Sequence, residues 1–143
     1  MDPEVPIVVG LHSFHDLRAW QTARAFKLAV YRLSDRGALA GDVKLRHELR
    51  ESAASALSQV AEGFGRFHPA DLARFMGIAK ASLMEAQDRL QDAVDRGHIT
   101  DETRTEHHQL AQSALRDVTS LMEYLRSKGA ADSAGSASQE PAG

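Results

Sequence analysis

Residues 59–66 read QVAEGFGR, and residues 75–85 read FMGIAKASLME. Both stretches have the composition of helices, whereas Gly63, Gly65 and Pro69 interrupt the chain between them. Glycine commonly caps the end of a helix, and proline favours the first turn of the next one. The chain is therefore expected to leave one helix near the two glycines and to enter another at the proline.

Four helical segments, separated by breaks that contain glycine, are predicted for residues 14–129. The segments lie near residues 15–34, 43–64, 69–96 and 101–128. The breaks are Gly37–Asp42, Gly63–His68 and Gly97–Thr100, with Gly129 as the predicted final cap. Residues 14–129 thus form the predicted domain.

The two ends of the chain differ from this domain. Residues 1–13 form a predicted N-terminal arm, in which the apolar run Val5–Val9 is either a strand or a segment laid on a neighbour. Residues 130–143 contain no large apolar side chain to bury, so that a disordered C-terminal tail is expected.

Apolar residues recur with helical spacing in three of the segments. Steps of three and four place one apolar seam along each helix, which is typical of a bundle. The seams are Leu45, Leu49, Ala53, Ala56 and Val60; Leu72, Met76, Ala79, Leu83, Ala86, Leu90 and Ala93; and Ala111, Leu115, Val118, Met122 and Leu125. Small residues at 52–56 should allow close approach of a neighbouring helix. The predicted fold is all-α, an antiparallel up-down-up-down four-helix bundle.

The first segment carries two apolar seams. One consists of Ala19, Ala23, Phe26, Val30 and Leu33, and the other of Leu17, Trp20, Leu28 and Tyr31. A helix within a single bundle needs only one apolar face, so the second seam predicts an interface with an identical subunit. In the alternative interpretation, Trp20 and Tyr31 rim the core or lie under the N-terminal arm.

Composition limits the possible functions. The chain has no cysteine, which excludes thiol catalysis, thiolate metal sites and disulfides. It has no apolar run of the roughly 20 residues that a membrane span needs, and its N-terminus lacks the basic start of a secretory signal. We therefore expect a cytoplasmic protein.

Sequence motifs for catalysis, cofactors or metals are lacking. No Glu-x-x-His pair of a di-metal bundle occurs, and Gly63-Phe64-Gly65 lacks the frame of a phosphate loop. His107 and His108 are neighbours that point in different directions, which favours solvated surface positions. No enzyme activity, cofactor or metal site is expected.

Basic residues concentrate on the first helical segment although the net charge is −3. Residues 15–36 hold five basic and two acidic residues. A polyanion such as RNA or DNA is therefore expected to bind there. The candidate contacts are Arg18, Arg24, Lys27 and Arg32, helped by Arg46, Arg50 and Arg66. Ordinary solvation of a helix face is the alternative explanation of this surplus.

The turn after the second segment carries its own charged group. Glu62, Arg66 and Arg74 are close enough along the turn, with Gly63 and Gly65, for an ion pair that sets the angle between two helices. Alternatively, Arg66 contacts a phosphate beside the helix that begins at Pro69.

The residue order around this turn is similar to that of a known family. It consists of Ala-Glu-Gly-x-Gly-Arg at 61–66 and Arg-Phe-x-x-Ile-Ala-x-x-Ser-x-x-Glu at 74–85. This order resembles the four-helix bundle proteins encoded in ribosomal-RNA intervening sequences, which include the accessory variability determinant of diversity-generating retroelements. The likeness runs from about Phe14 to Arg126.

The resemblance implies an assembly and a class of partner. Relatives form homopentameric barrels, and the retroelement members bind nucleic acid and a reverse transcriptase as non-enzymatic accessories. The expected function is accordingly a homo-oligomeric scaffold for structured RNA or for a reverse transcriptase–nucleic acid complex. The competing expectation is a protein–protein adaptor ring that binds no nucleic acid.

Overall fold

The computed structural model describes the backbone of residues 17–66 and 68–138, with side chains as far as Gly129. Its elements are α1 (Arg18–Ser34), α2 (Gly37–Gly41), α3 (Val43–Phe64), α4 (Pro69–Asp95) and α5 (Asp101–Ser138). The predicted all-α class and four long helices are confirmed, and α3 has the predicted bounds. The predicted N-terminal arm, residues 1–13, lies outside the described residues.

The short helix α2 occupies the break that the sequence predicted as a loop. Gly37 begins it with a φ of +64°, a backbone conformation that glycine adopts without the steric penalty of a side chain. Leu39 is fully buried in the core and anchors this turn of helix. The predicted loop is therefore corrected to a five-residue helix.

Helix α5 continues past its predicted end. The backbone is helical through Ser138, so that the helix does not end at the cap predicted at Gly129. A single glycine inside a helix costs only about 1 kcal/mol relative to alanine, and Ala130 and Ala131 follow it. Residues 139–143 of the predicted tail lie outside the described part of the chain.

The core consists of the apolar seams of the four long helices. Helix α1 packs on α3 and α5, and α4 packs on the same two helices from the other side. All seam residues predicted for α3 and α4 are buried, and so is the first of the two seams of α1. In α5, Leu115 is only partly buried against the core, whereas the other predicted seam residues are buried.

Paired contacts show how α3 and α4 are aligned. Ser55 Oγ lies 3.1 Å from Ser82 Oγ, and Arg89 Nε lies 3.2 Å from a carboxylate oxygen of Glu48. Residue numbers therefore rise along α3 as they fall along α4, as in an antiparallel pair. Ser52 and Ala56 are buried, and Ser55 contacts α4, so small residues occupy this part of the interface.

Asp42 joins the start of α3 to the turn between α4 and α5. Its side chain accepts a hydrogen bond from the Leu45 amide at 3.3 Å, and its Oδ2 lies 2.9 Å from His98 Nε2 and 3.0 Å from Arg96. The hydrogen bond from His98, followed by that from Leu45, lowers the pKa of the Asp42 carboxyl below its ordinary value. The carboxylate thus caps one helix and holds a distant turn.

Gly63 lies near the end of α3, against side chains of the first turns of α4. A Cβ at this position would lie 2.8 Å from both Leu72 Cδ1 and Phe75 Cβ. Gly63 is therefore required for close approach, whereas Gly65 caps α3 with an ordinary φ of −74°. The predicted glycine cap of this helix is therefore found at Gly65.

None of the helices in the described part of the chain combines the length and the apolar character that a membrane span requires.

Gly63→Ala should destabilise the bundle, because the added methyl group meets the side chains of Leu72 and Phe75. We expect a loss of about 1–3 kcal/mol in the free energy of unfolding, measured by urea denaturation. Gly77→Ala is the matched control, since its Cβ would lie 3.9 Å from Met122 Sδ, an ordinary contact. That control should gain about 0.5–1 kcal/mol. Equal stability of Gly63→Ala and wild type would contradict the close-approach role.

Candidate nucleic-acid interface

Cations stack on aromatic side chains along the outer face of α1. The Arg24 guanidinium lies 5.9 Å from the centroid of the Trp20 ring, and Lys27 Nζ lies 5.3 Å from that of Tyr31. Each pair is separated by four residues, the spacing that brings side chains together on a helix. Arg50 reaches across from α3 and lies 4.2 Å from the Tyr31 centroid. We call these five residues the cation–aromatic strip.

Arg46 and Arg50 are tied to the C-terminal end of α1. Arg46 donates to the Ser34 carbonyl at 2.9 Å and to Asp35 Oδ1 at 2.8 Å. Arg50 donates to the same carboxylate oxygen at 3.0 Å and to Ser34 Oγ at 3.1 Å. The last carbonyls of a helix lack partners within the helix and attract cations. The two predicted nucleic-acid contacts thus hold α3 against α1.

The Asp35 carboxylate shows the electrostatic effect of these two arginines. The hydrogen bond from Arg46 is the main cause that lowers the pKa of Asp35 below its ordinary value, and the nearby charge of Arg50 adds to it. Asp35 in turn compensates part of their positive charge. Arg46 and Arg50 therefore attract a polyanion less strongly than two uncompensated positive charges would.

The remaining basic residues of α1 do not form one face. Arg18, Arg24 and Arg32 are exposed and Lys27 is half-buried. At about 100° per residue, Arg18 projects on the side of α1 opposite to Lys27. Among the described side chains, no carboxylate lies within ion-pair distance of Arg24 or Lys27. The structure thus brings these two together with Trp20 and Tyr31.

The residues predicted to form an oligomer interface have different environments. Leu17 is only 4% exposed and belongs to the core of its own chain, so that its assignment to the outer seam is corrected. Trp20 and Tyr31 are partly buried and pack against the core, as the alternative interpretation expected. Leu28 is half-buried. The alternative that the N-terminal arm covers Trp20 and Tyr31 involves residues 1–13, which lie outside the described range.

The charged turn after α3 is built around an aromatic ring. Arg66 lies 3.3 Å from Glu62, which confirms the predicted ion pair. Arg74 does not join it: both guanidiniums lie 4.9 Å from the centroid of Phe75. Phe75, the centre of this group, was not among the predicted turn residues, although it follows Arg74 directly in the sequence. The predicted three-residue ion pair is corrected to one ion pair and two stacked arginines.

The two adjacent histidines of α5 are not equivalent. His107 is only 7% exposed, and its Nδ1 donates to the Thr103 carbonyl at 2.7 Å. The expected surface position is wrong because His107 lies one helical turn before Ala111, on the core face. His108 is half-buried beside Gln112.

Sequence reasoning also missed an apolar groove between α4 and α5. Met84 is 54% exposed, and with Leu115 it lines a cavity of about 490 Å³ rimmed by Lys80, Gln87 and Arg116. The exposed large apolar side chains described in the structure lie on α3, α4 and α5. They are Val43, Ile78, Met84, Leu110 and Tyr124. No pattern in the sequence distinguishes these residues from core positions, because neighbouring helices decide which face is covered.

These observations define an all-α helix bundle with an apolar core and with basic side chains on the outer faces of its helices. No group of three or more potential metal ligands occurs among residues 17–66 and 68–129. Residues 15–120 match the 23S rRNA-intervening sequence protein family. The match covers most of the chain, and the protein belongs to this family. No curated protein matches the chain significantly.

Arg50→Lys should lower the midpoint of thermal unfolding, because a lysine ammonium cannot contact Ser34, Asp35 and the Tyr31 ring in the same way. One lost hydrogen bond of about 1 kcal/mol corresponds to a decrease of about 2–4 °C. Arg24→Lys, which keeps the charge and the stacking partner, is the control and should melt like wild type. Calorimetry measures both. If Arg50→Lys melted like wild type but bound RNA more weakly, Arg50 would be assigned to the nucleic-acid contacts and not to the packing of α3 on α1.

Proposed function

We propose that the protein is a non-enzymatic cytoplasmic scaffold that binds structured RNA or a reverse transcriptase–nucleic acid complex. It acts as an antiparallel up-down-up-down four-helix bundle assembled into a homopentameric ring. The observation that carries the proposal is the cation–aromatic strip, in which Arg24 and Lys27 have no carboxylate within ion-pair distance among the described side chains.

The chemistry of the strip suits a nucleic-acid backbone. Cationic side chains neutralise phosphates and release counterions, which supplies most of the affinity of non-specific binding. Trp20 and Tyr31 hold Arg24 and Lys27 at the outer face of α1. A side chain held in this way loses less conformational entropy when it contacts a phosphate. The strip therefore favours a polyanion over a neutral partner.

Assembly would multiply this effect. A ring repeats the strip once in each subunit, and the fields and contacts of the copies add when one nucleic acid spans several of them. The net charge of the chain is −3, so a single strip with two uncompensated cations binds nucleic acid weakly. Several copies of the strip on one ring bind the same nucleic acid with higher affinity. The proposed RNA binding thus depends on the proposed ring.

The reverse transcriptase partner rests on the resemblance to the accessory variability determinant of diversity-generating retroelements. The match to the 23S rRNA-intervening sequence family supports only the other part of that resemblance, to proteins encoded in ribosomal-RNA intervening sequences. The antiparallel contacts between α3 and α4 support the up-down topology.

The adaptor ring is the second candidate, and the groove between α4 and α5 favours it. Met84 and Leu115 offer apolar surface there that a partner protein could bury. Such binding depends little on salt, whereas phosphate binding weakens steeply as salt rises.

Reversing two charges of the strip tests the RNA interface. Arg24→Glu combined with Lys27→Glu should reduce the affinity for structured RNA at least about tenfold at roughly 50 mM salt, where screening is weak. The matched control reverses Lys44 and Lys80, which lie on α3 and α4 outside the strip. Fluorescence anisotropy across a salt series should give wild type a log–log slope of several units. Failure of wild type to bind structured RNA or duplex DNA at low salt would favour the adaptor.

Trp20→Glu tests the ring. A charge placed in an apolar interface is strongly destabilising when it has no partner, so the variant should dissociate to single chains at micromolar concentration. Val43→Glu is the control, because Val43 is 73% exposed and lies at the start of α3. Light scattering gives the masses and circular dichroism confirms the fold. Wild type that stays monomeric would refute the ring, and dissociation by Met84→Glu alone would move the interface to the α4–α5 groove.

A further inference from the structure

A cavity of about 440 Å³ opens between the first turns of α4 and the C-terminal part of α5. Its rim carries three basic side chains, His68, Arg74 and Arg126, which come from two different helices and the residue before α4. Its remaining lining is small and apolar: Ala70, Ala73, Leu125 and Gly129. The cavity therefore combines a cationic rim with an apolar floor, and its volume lies in the range of small-ligand sites.

The rim arginines differ from most of the other arginines between residues 43 and 129. Arg46, Arg50, Arg66, Arg89, Arg96, Arg104 and Arg116 each have an acidic side chain within 4 Å. Arg126 makes no hydrogen bond or ion pair with the described side chains, and the contact of Arg74 is the Phe75 ring. Two guanidiniums thus face one cavity without a carboxylate that compensates them in the described part of the chain.

His68 adds a directed hydrogen-bond donor. Its Nδ1 accepts a hydrogen bond from the Ala70 amide at 3.2 Å, so that the ring proton of the neutral side chain lies on Nε2. Nε2 can therefore donate to a ligand in the cavity.

We propose that this cavity binds a phosphomonoester carried by a nucleotide, either the phosphorylated end of a nucleic-acid strand or a free mononucleotide. Two guanidiniums and an imidazole match the three oxygens of a terminal phosphate, because guanidinium binds phosphate oxygens in pairs. A phosphomonoester carries about −1.5 to −2 charges at neutral pH, more than the single charge of an internal phosphodiester.

The floor explains why the phosphate should belong to a nucleotide. Alanine and glycine at three of its four positions leave an apolar surface without projecting side chains, on which a planar base can lie. The strand end as a source rests on the proposed RNA binding. The cavity and the strip involve different residues, so one strand could bind by its body to α1 and by its end to α4 and α5.

The test compares two single-stranded RNAs that differ only at the 5′ end. Both carry a 3′ fluorophore, and one ends in a 5′-phosphate and the other in a 5′-hydroxyl group. We expect the phosphorylated strand to bind at least about tenfold more tightly, as charge-assisted hydrogen bonds predict. Equal affinities would overturn the strand-end source, and equal affinities without binding of adenosine monophosphate would overturn the proposal as a whole; neither result would affect the strip or the proposed function.

Two variants locate the site. Arg126→Gln should abolish the preference for the 5′-phosphate without changing the affinity for the 5′-hydroxyl strand, and it removes no hydrogen bond or ion pair among the described side chains. Gly129→Leu should fill the cavity and have the same effect. Gly129→Ala is its matched control, since the Cβ would lie 3.8 Å from Pro69 Cβ, an ordinary contact. A preference that survives both Arg126→Gln and Gly129→Leu would overturn the assignment to this cavity.

Calorimetry with adenosine monophosphate, inorganic phosphate and a phosphoserine peptide distinguishes which molecule carries the bound phosphate group. Binding of adenosine monophosphate that Arg126→Gln removes would identify the free nucleotide, and would support the site even if the protein bound no strand. Preference for the phosphorylated strand with no binding of the mononucleotide would identify the strand end. Tighter binding of the phosphoserine peptide than of either nucleotide form would overturn the nucleotide assignment.

Discussion

The close packing of α3 against α4 is the constraint on which the rest of the bundle depends. Gly63 brings the two helices together at one end, where a single methyl group would meet two core side chains. The serine pair Ser55–Ser82 bridges the middle of the interface, and Asp42 joins its far end to the turn between α4 and α5. Since α1 and α5 each pack on one of these helices, a wider spacing here would open the whole core.

The arginines of the protein divide into two groups with different roles. Those beside helix ends and carboxylates, such as Arg46 and Arg96, connect elements that are distant in sequence. Their charge is largely compensated, because each carboxylate lies within a few ångströms and hydrogen-bonds to it. Arg24, Arg74 and Arg126 have no such partner among the described side chains, and the two anion-binding sites that we propose are built on them.

Aromatic rings contact cations of both groups. Tyr31 contacts both Lys27 and Arg50, and Phe75 contacts both Arg66 and Arg74. Stacking on a ring restricts a long side chain without neutralising its charge, because the ring supplies a quadrupole and not a countercharge. A cation held in this way stays available to a phosphate, whereas a cation in an ion pair must first give up its partner.

The sequence by itself determined the helical class, the four long helices and the seams that form the core, because helix periodicity and glycine or proline breaks are local properties. It also identified the Glu62–Arg66 pair, whose members are one turn apart. Only the tertiary structure decided that Leu17 is core, that His107 is buried and that Arg50 belongs to the end of α1. Those outcomes depend on contacts between residues far apart in sequence, and local spacing does not specify which neighbouring helix covers a given face.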